Sequence, residues 1–162
     1  MEIENTNVKA HKTIRHLEEV VITPEHVKRK ESKEFRASKR RLKQDGHYHC
    51  YVCGNEKKLQ VHHYGAEWSL ENNVDFGKLK EFVEEWDVYG YGRLLNKQPI
   101  ETVDDIRNMM VLCQEHHTGG TKDGSANGIH NITFPAWISQ KLDKIVNTSV
   151  PLADPTNAKN LK

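Results

Sequence analysis

Long apolar runs are what this 162-residue sequence most lacks. No stretch approaches the roughly 18 consecutive apolar residues a membrane-spanning helix requires, and the opening MEIENTNVKAHKT holds no apolar signal-peptide core. No membrane partner is therefore expected, and the chain is expected to stay in the cytoplasm. Cysteine is also scarce: there are three, an odd number that excludes complete internal pairing. A reducing cytoplasm favours metal ligation over disulfides for such residues. No internal repeat is visible, and the length suits one domain with a modest core rather than two. Hydrophobic residues make up 36% of the chain and charged residues 29%, so the interior is small for the surface and a staple such as a metal would help to hold it.

Net charge is nearly absent too, at +1, but the average conceals segregation. Residues 24–45 carry nine Lys or Arg against four Asp or Glu, while residues 71–87 are mainly acidic. A basic segment is commonly a solvated helix face, and it is also what a phosphate-binding surface needs, because Lys and Arg displace the counterions condensed on nucleic acid.

The chain reads as an arm over 1–22, a basic helix over 23–46, a main unit over 47–147 and a tail over 148–162. Val20 to Ile22 form a weak strand candidate. Thr23 followed by Pro24 is a helix start, with Val27, Phe35 and Leu42 near one face and a stop near Gly46. Residues 47–64, HYHCYVCGNEKKLQVHHY, predict a hairpin-like unit with cysteines at its tip and histidines at its end. Leu79, Phe82, Val83 and Trp86 fall at helical spacing and predict a helix over 77–86 with one buried stripe. YGYGRLLNKQP predicts a glycine-punctuated loop, and Thr102 with Asp105 a capped short helix. Residues 118–131 predict a flexible loop, and TFPAWISQKLDKIV a last helix burying Ile138, Leu142 and Ile145.

Cys50 and Cys53 make a C-x-x-C knuckle, and Cys113 with His116 repeats the spacing as C-x-x-H. The two-residue gap lets both side chains of a pair reach one ion, so the four offer a closed Cys3His set suited to a structural Zn2+. His62, His63 and His117 remain, with Asn108 and, in the glycine-rich loop, His130. A histidine pair alone is more often a surface or hydrogen-bonded core feature; beside the two knuckles it points to metal ligation and proton transfer, since imidazole titrates near neutral pH. Adjacent residues on a strand face opposite sides, so one metal ligand and one base is the natural division of His62 and His63.

The order C-x-x-C, V-H-H, then N-x-x-x-L-C-x-x-H-H resembles the HNH endonuclease superfamily, in the branch whose ββα-metal fold is tied by a zinc knuckle. The second knuckle in that branch is usually C-x-x-C followed by His, so His116 stands in place of a cysteine and the zinc ligand is His116 or its neighbour His117. The resemblance implies an α+β fold: a small ββα-metal core preceded by the basic helix and carrying a helical insert over 64–107. It implies His62 and His117 as ligands of a catalytic divalent metal (Mg2+, Mn2+ or Ni2+), His63 as general base and Asn108 as the residue orienting it through its backbone or side chain; His130, outside the core motif, would add a metal or phosphate contact if its glycine loop folds back. The insert resembles those of bacteriophage HNH proteins, which implies a bacterial or phage-infected host cytoplasm. DNA is the implied partner, gripped by Lys28, Arg29, Lys33, Arg36, Lys39, Arg40, Arg41 and Lys43 of the basic segment. Arg93, with Tyr89 and Tyr91, would clasp or stack on it. A homodimer would be the simplest way to cut both strands. Two other readings compete: a zinc-stabilised DNA-binding module without hydrolysis, and a zinc-stabilised protein-interaction module.

Overall fold

The structure, a computed structural model, describes residues 28–119, 128–132 and 142–144. The 1–22 arm, the Thr23 start, most of the 118–131 loop, Ile138, Ile145 and the 148–162 tail lie outside the described residues.

The basic helix is α1, Lys33–Gln44. Residues 28–32 lead into it without helical structure, so the basic segment is not one helix running from Pro24. The cause is Ser32, whose side chain accepts the Phe35 N–H at 2.8 Å and caps the helix there. The helix ends as the sequence predicts: Gly46 takes φ 78°, and the His47 N–H bonds back to the Leu42 carbonyl at 2.9 Å. Phe35, Ser38 and Leu42 form its buried face.

Residues 47–64 do not make a local hairpin. Their first part is spent on the cysteine turn, and only β1, Leu59–His63, is a strand. It pairs antiparallel with β2, Met109–Cys113, beyond the insert, in the register Leu59 with Cys113 to His63 with Met109. Every residue of β2 is buried, because alternate side chains serve two cores. Met110 and Leu112 pack with Leu79, Val83, Val103 and Leu142 on one face. Met109 and Val111 pack with Phe35, Leu42, Val61 and Tyr91 on the other. The two-stranded sheet thus lies between α1 and the insert helix α2, Phe76–Glu85.

Helix α2 starts at Asp75, whose carboxylate accepts the Gly77 and Lys78 N–H groups, and it buries Leu79 and Val83 as the spacing predicts. Trp86 departs from that stripe: the helix ends before it, and it is 50% exposed, with its ring against Tyr64 and Phe82. YGYG is not a loop throughout, for Tyr91–Leu94 form the short helix α3. Asp87 accepts the Gly92 and Arg93 N–H groups at 2.9 and 3.0 Å and so caps that turn. The capped helix expected at Thr102 is a 3-10 turn over Ile106–Asn108, capped by Asp105. A short helix α4, Gln114–Thr118, follows β2 directly, and α5, Ile129–Ile132, lies against it. Residues 142–144 pair with 73–75 through the Asp75 N–H to Leu142 carbonyl and the Lys144 N–H to Asn73 carbonyl bonds. Among the described residues, no helix is long and apolar enough to cross a membrane.

Candidate metal and catalytic centre

The cysteine turn is built by its backbone. The Cys50 N–H bonds to the Asn55 carbonyl, the Gly54 N–H to the Cys50 carbonyl and the Tyr51 N–H to the Val111 carbonyl, each at 2.8 Å. The last of these docks the turn on β2. Gly54 takes φ 71°, a conformation glycine adopts without steric cost. Cys113 closes β2 and His116 lies in α4, so strand and helix together carry the second knuckle to the first.

The ligand atoms of Cys50, Cys53, Cys113 and His116 all lie within 4.8 Å of one another and can hold a metal ion. Cys53 Sγ stands 3.9 Å from Cys113 Sγ, far from the roughly 2.05 Å of a disulfide. His116 Nδ1 is 3.6 Å from Cys50 Sγ and 3.2 Å from Cys113 Sγ. A zinc tetrahedron with bonds of about 2.3 Å to sulfur and 2.0 Å to nitrogen has edges of about 3.5–3.8 Å, so the donor set fits such an ion. Burial pushes the Cys50 thiol up, but the N–H groups of Cys113, Cys53 and Val52 outweigh it and bring its pKa to about 6. Cys50 is thereby prepared as a thiolate ligand.

Three histidines from separate elements meet beside this cluster. His62 on β1, His117 on α4 and His130 on α5 bring their ligand nitrogens within 4.8 Å of one another. His117 Nε2 and His130 Nε2 are 3.0 Å apart, the separation of two ligands at right angles on an ion with bonds of about 2.1 Å. The Gln60 amide oxygen sits on His117 Nδ1, and as an acceptor it places the proton there, leaving Nε2 free for an ion. The question between the neighbours is answered by position: His116 faces the cysteines and His117 the histidines. Burial first, then the charges of His117 and His130, lower the His62 pKa to about 2. Burial and His130 lower that of His117 to about 4. Both rings are therefore neutral near pH 7, the form that ligates metal.

His63 pairs with Met109 where His62 pairs with Met110, so the two lie on opposite sides of β1, as adjacent strand residues must. His63 is 2% exposed, with its ring 5.6 Å from that of Phe35. Its Nε2 is 2.8 Å from Asp104 Oδ1, and its Nδ1 is 4.0 Å from Glu67 Oε2. The other Glu67 oxygen faces His62 Nδ1 at 3.5 Å and His130 Nδ1 at 3.9 Å. Burial raises the Glu67 carboxyl. Burial also works against the Asp104 carboxylate, but hydrogen bonds from His63 and Ser32 prevail and hold it below the usual range.

Asn108 is fully buried and does not reach His63. Its Oδ1 accepts the Gly65 and Ala66 N–H groups at 2.9 and 3.2 Å. Its Nδ2 donates to the Ala66 and Val103 carbonyls at 2.9 and 2.8 Å. It fixes the chain that leaves β1, with Gly65 so close that a Cβ there would meet Asn108 Oδ1 at 2.8 Å.

A groove of about 430 Å3 runs from His117 along Gln60 and Val61 to Arg29, Phe35 and Lys39. Arg29 and Lys39 also lie over the Phe35 ring. Lys28, Lys33, Arg36, Arg40, Arg41 and Lys43 are exposed on or before α1. Arg41 is paired with Asp45 at 2.6 Å and Arg93 with Asp87 at 3.5 Å. Tyr91 is buried with its hydroxyl on Asp45, and the Tyr89 hydroxyl accepts the Val111 N–H, so both tyrosines are committed to their own domain rather than offered to a strand of nucleic acid.

Glu67 and Asp104 are the site residues that sequence reasoning missed. Glu67 stands four residues after His63, and Asp104 lies in a segment read for its caps alone. Comparison with known protein families, with curated proteins and with solved structures returns no match.

Proposed function

We propose that the chain is a metal-dependent endonuclease that hydrolyses phosphodiester bonds of DNA. The observation that carries this reading is the convergence of three imidazoles, His62, His117 and His130, beside a buried His63 held against a carboxylate. Cys50, Cys53, Cys113 and His116 would bind a structural zinc ion that fixes β2 to the cysteine turn. His62, His117 and His130 would hold a divalent Mg2+, Mn2+ or Ni2+ ion, which when bound supplies positive charge to the scissile phosphate and the leaving oxygen. His63 takes the proton of the attacking water; the water oxygen bonds to phosphorus as the bond to the leaving sugar oxygen breaks. Arg29 and Lys39 line the groove that reaches His117 and attract the phosphate backbone, with the exposed cations of α1 extending that surface.

The burial of His63 favours one competing reading, a zinc-stabilised DNA-binding or protein-interaction module in which hydrolysis is lost. Supercoiled plasmid incubated with the chain in Mg2+, Mn2+, Ni2+ or EDTA separates the two. The nuclease reading expects metal-dependent nicking or linearisation that His63→Ala abolishes while DNA binding persists. Binding without cleavage by the folded, zinc-loaded chain in every metal would replace it with the module.

A further inference from the structure

Among the described side chains around His63, the one within hydrogen-bonding distance of its ring is Asp104, at 2.8 Å from Nε2. A carboxylate is an acceptor only, so the contact requires the proton to be on Nε2. The backbone that carries the carboxylate is held from both sides. The Asp104 N–H donates to Thr102 Oγ1 at 3.1 Å, and the Asp104 carbonyl accepts the Ser38 hydroxyl at 3.0 Å. Thr102 in turn donates to Glu34 at 2.7 Å. The first half of α1 therefore grips the segment that carries the carboxylate.

We infer that Asp104 is the positioning residue of His63, fixing its ring so that Nε2 carries the proton and Nδ1 keeps the free lone pair. The catalytic consequence rests on the nuclease reading; the orientation does not. Nδ1 faces the Glu67 side across 4.0 Å, too far for a direct hydrogen bond but wide enough for a bridging water. That nitrogen is the one left to accept a proton. Asn108, which the sequence pattern nominates for this task, spends all its side-chain hydrogen bonds on Gly65, Ala66 and Val103. The arrangement also ties the base to the basic helix, since Ser38, and Glu34 through Thr102, hold the same segment whose carboxylate orients His63.

Asp104→Asn preserves shape but changes the demand on the ring. The carboxylate charge that held the Nε2 proton is gone, and an NH2 turned to His63 asks for a bare Nε2, which moves the proton to Nδ1. The test is the imidazole nitrogen spectrum of the 15N-labelled, zinc-loaded full chain, read beside plasmid cleavage. The expected result is an Nε2–H tautomer for His63 in the wild type. Asp104→Asn should shift it to Nδ1–H and lower kcat by about 10²-fold or more, with KM within about threefold. An Nδ1–H tautomer in the wild type would overturn the inference, as would an Asp104→Asn chain with unchanged tautomer and unchanged kcat. The wild-type spectrum needs no variant, so the inference stands or falls even if the substitution unfolds the protein. A wild-type chain that cleaves nothing overturns the nuclease reading, and the tautomer then decides the orientation alone.

Discussion

Stripping the ion from the Cys50, Cys53, Cys113 and His116 cluster should release the cysteine turn and with it the end of β2. Four backbone bonds hold the turn, Cys50 to Asn55, Gly54 to Cys50 and Tyr51 to Val111 at 2.8 Å each and Gln114 to Lys58 at 3.0 Å. At a net of about 0.5–1.5 kcal/mol each they contribute about 2–6 kcal/mol. Ordering the backbone of residues 50–58 costs about 1–2 kcal/mol per residue, or roughly 9–18 kcal/mol. Val52 and Tyr51 are largely exposed, so apolar burial does little to offset that cost. Structural zinc contributes about 10–16 kcal/mol in small domains, enough to close the difference. Metal analysis of the purified chain should give about one zinc per molecule. A strong chelator should lower the melting temperature by more than about 10 °C, and Cys113→Ser should neither retain zinc nor respond to the chelator. A zinc-free chain that melts at the same temperature with and without chelator would refute the reasoning.

Asn108→Ala leaves the Gly65 and Ala66 N–H groups and the Ala66 and Val103 carbonyls without their partner, and should cost about 3–5 kcal/mol in urea unfolding. Acid should destabilise the metal-free chain. The His62 pKa, lowered to about 2 in the folded state, lies below its unfolded value of about 6.5, so the unfolded chain binds more protons as the pH falls below 6.5. Stability should therefore drop with a slope approaching about 1.4 kcal/mol per pH unit from that group, and be flat in this respect above pH 7; His62→Ala should reduce the slope and leave the contribution of His117, lowered to about 4. Arg36→Ala and Arg40→Ala, both exposed on α1, should each weaken DNA binding at all sequences and reduce the salt slope by about 1 in a titration of log K against log salt. Gln60→Ala, which frees His117 Nδ1, should weaken binding of the divalent ion about tenfold or more, measured by calorimetry on the zinc-loaded chain.

The Cys50, Cys53, Cys113 and His116 cluster was legible in the sequence because ligation imposes spacing. C-x-x-C and C-x-x-H each put two donors within reach of one ion, and the alternation of a strand sends His62 and His63 to different sides. The stripe of α2 was legible for the same reason, as far as Val83. What spacing does not encode is which distant segments meet. β1 finds its partner beyond the whole insert, because Met109–Cys113 can fill a core on each face and nothing within 47–58 can. Asp104 reads locally as part of a turn, and its role appears only once α1 docks against it. Ser32 displaced the start of α1 because a hydroxyl that captures the Phe35 N–H ends the advantage of continuing the helix backward. Asn108 has the residue type a base-orienting role would use, yet burial committed it to the backbone.

His116 and His117 are consecutive, and each belongs to a different group of side chains that could hold a metal ion. Successive residues of a helix are rotated by about 100°, so this one turn of α4 works as a two-way fitting whose outlets cannot be moved independently. Inserting or deleting a single residue between Cys113 and His117 would misdirect both imidazoles at once. The segment should therefore tolerate exchanges of Gln114 or Glu115, both exposed, while rejecting any change in length.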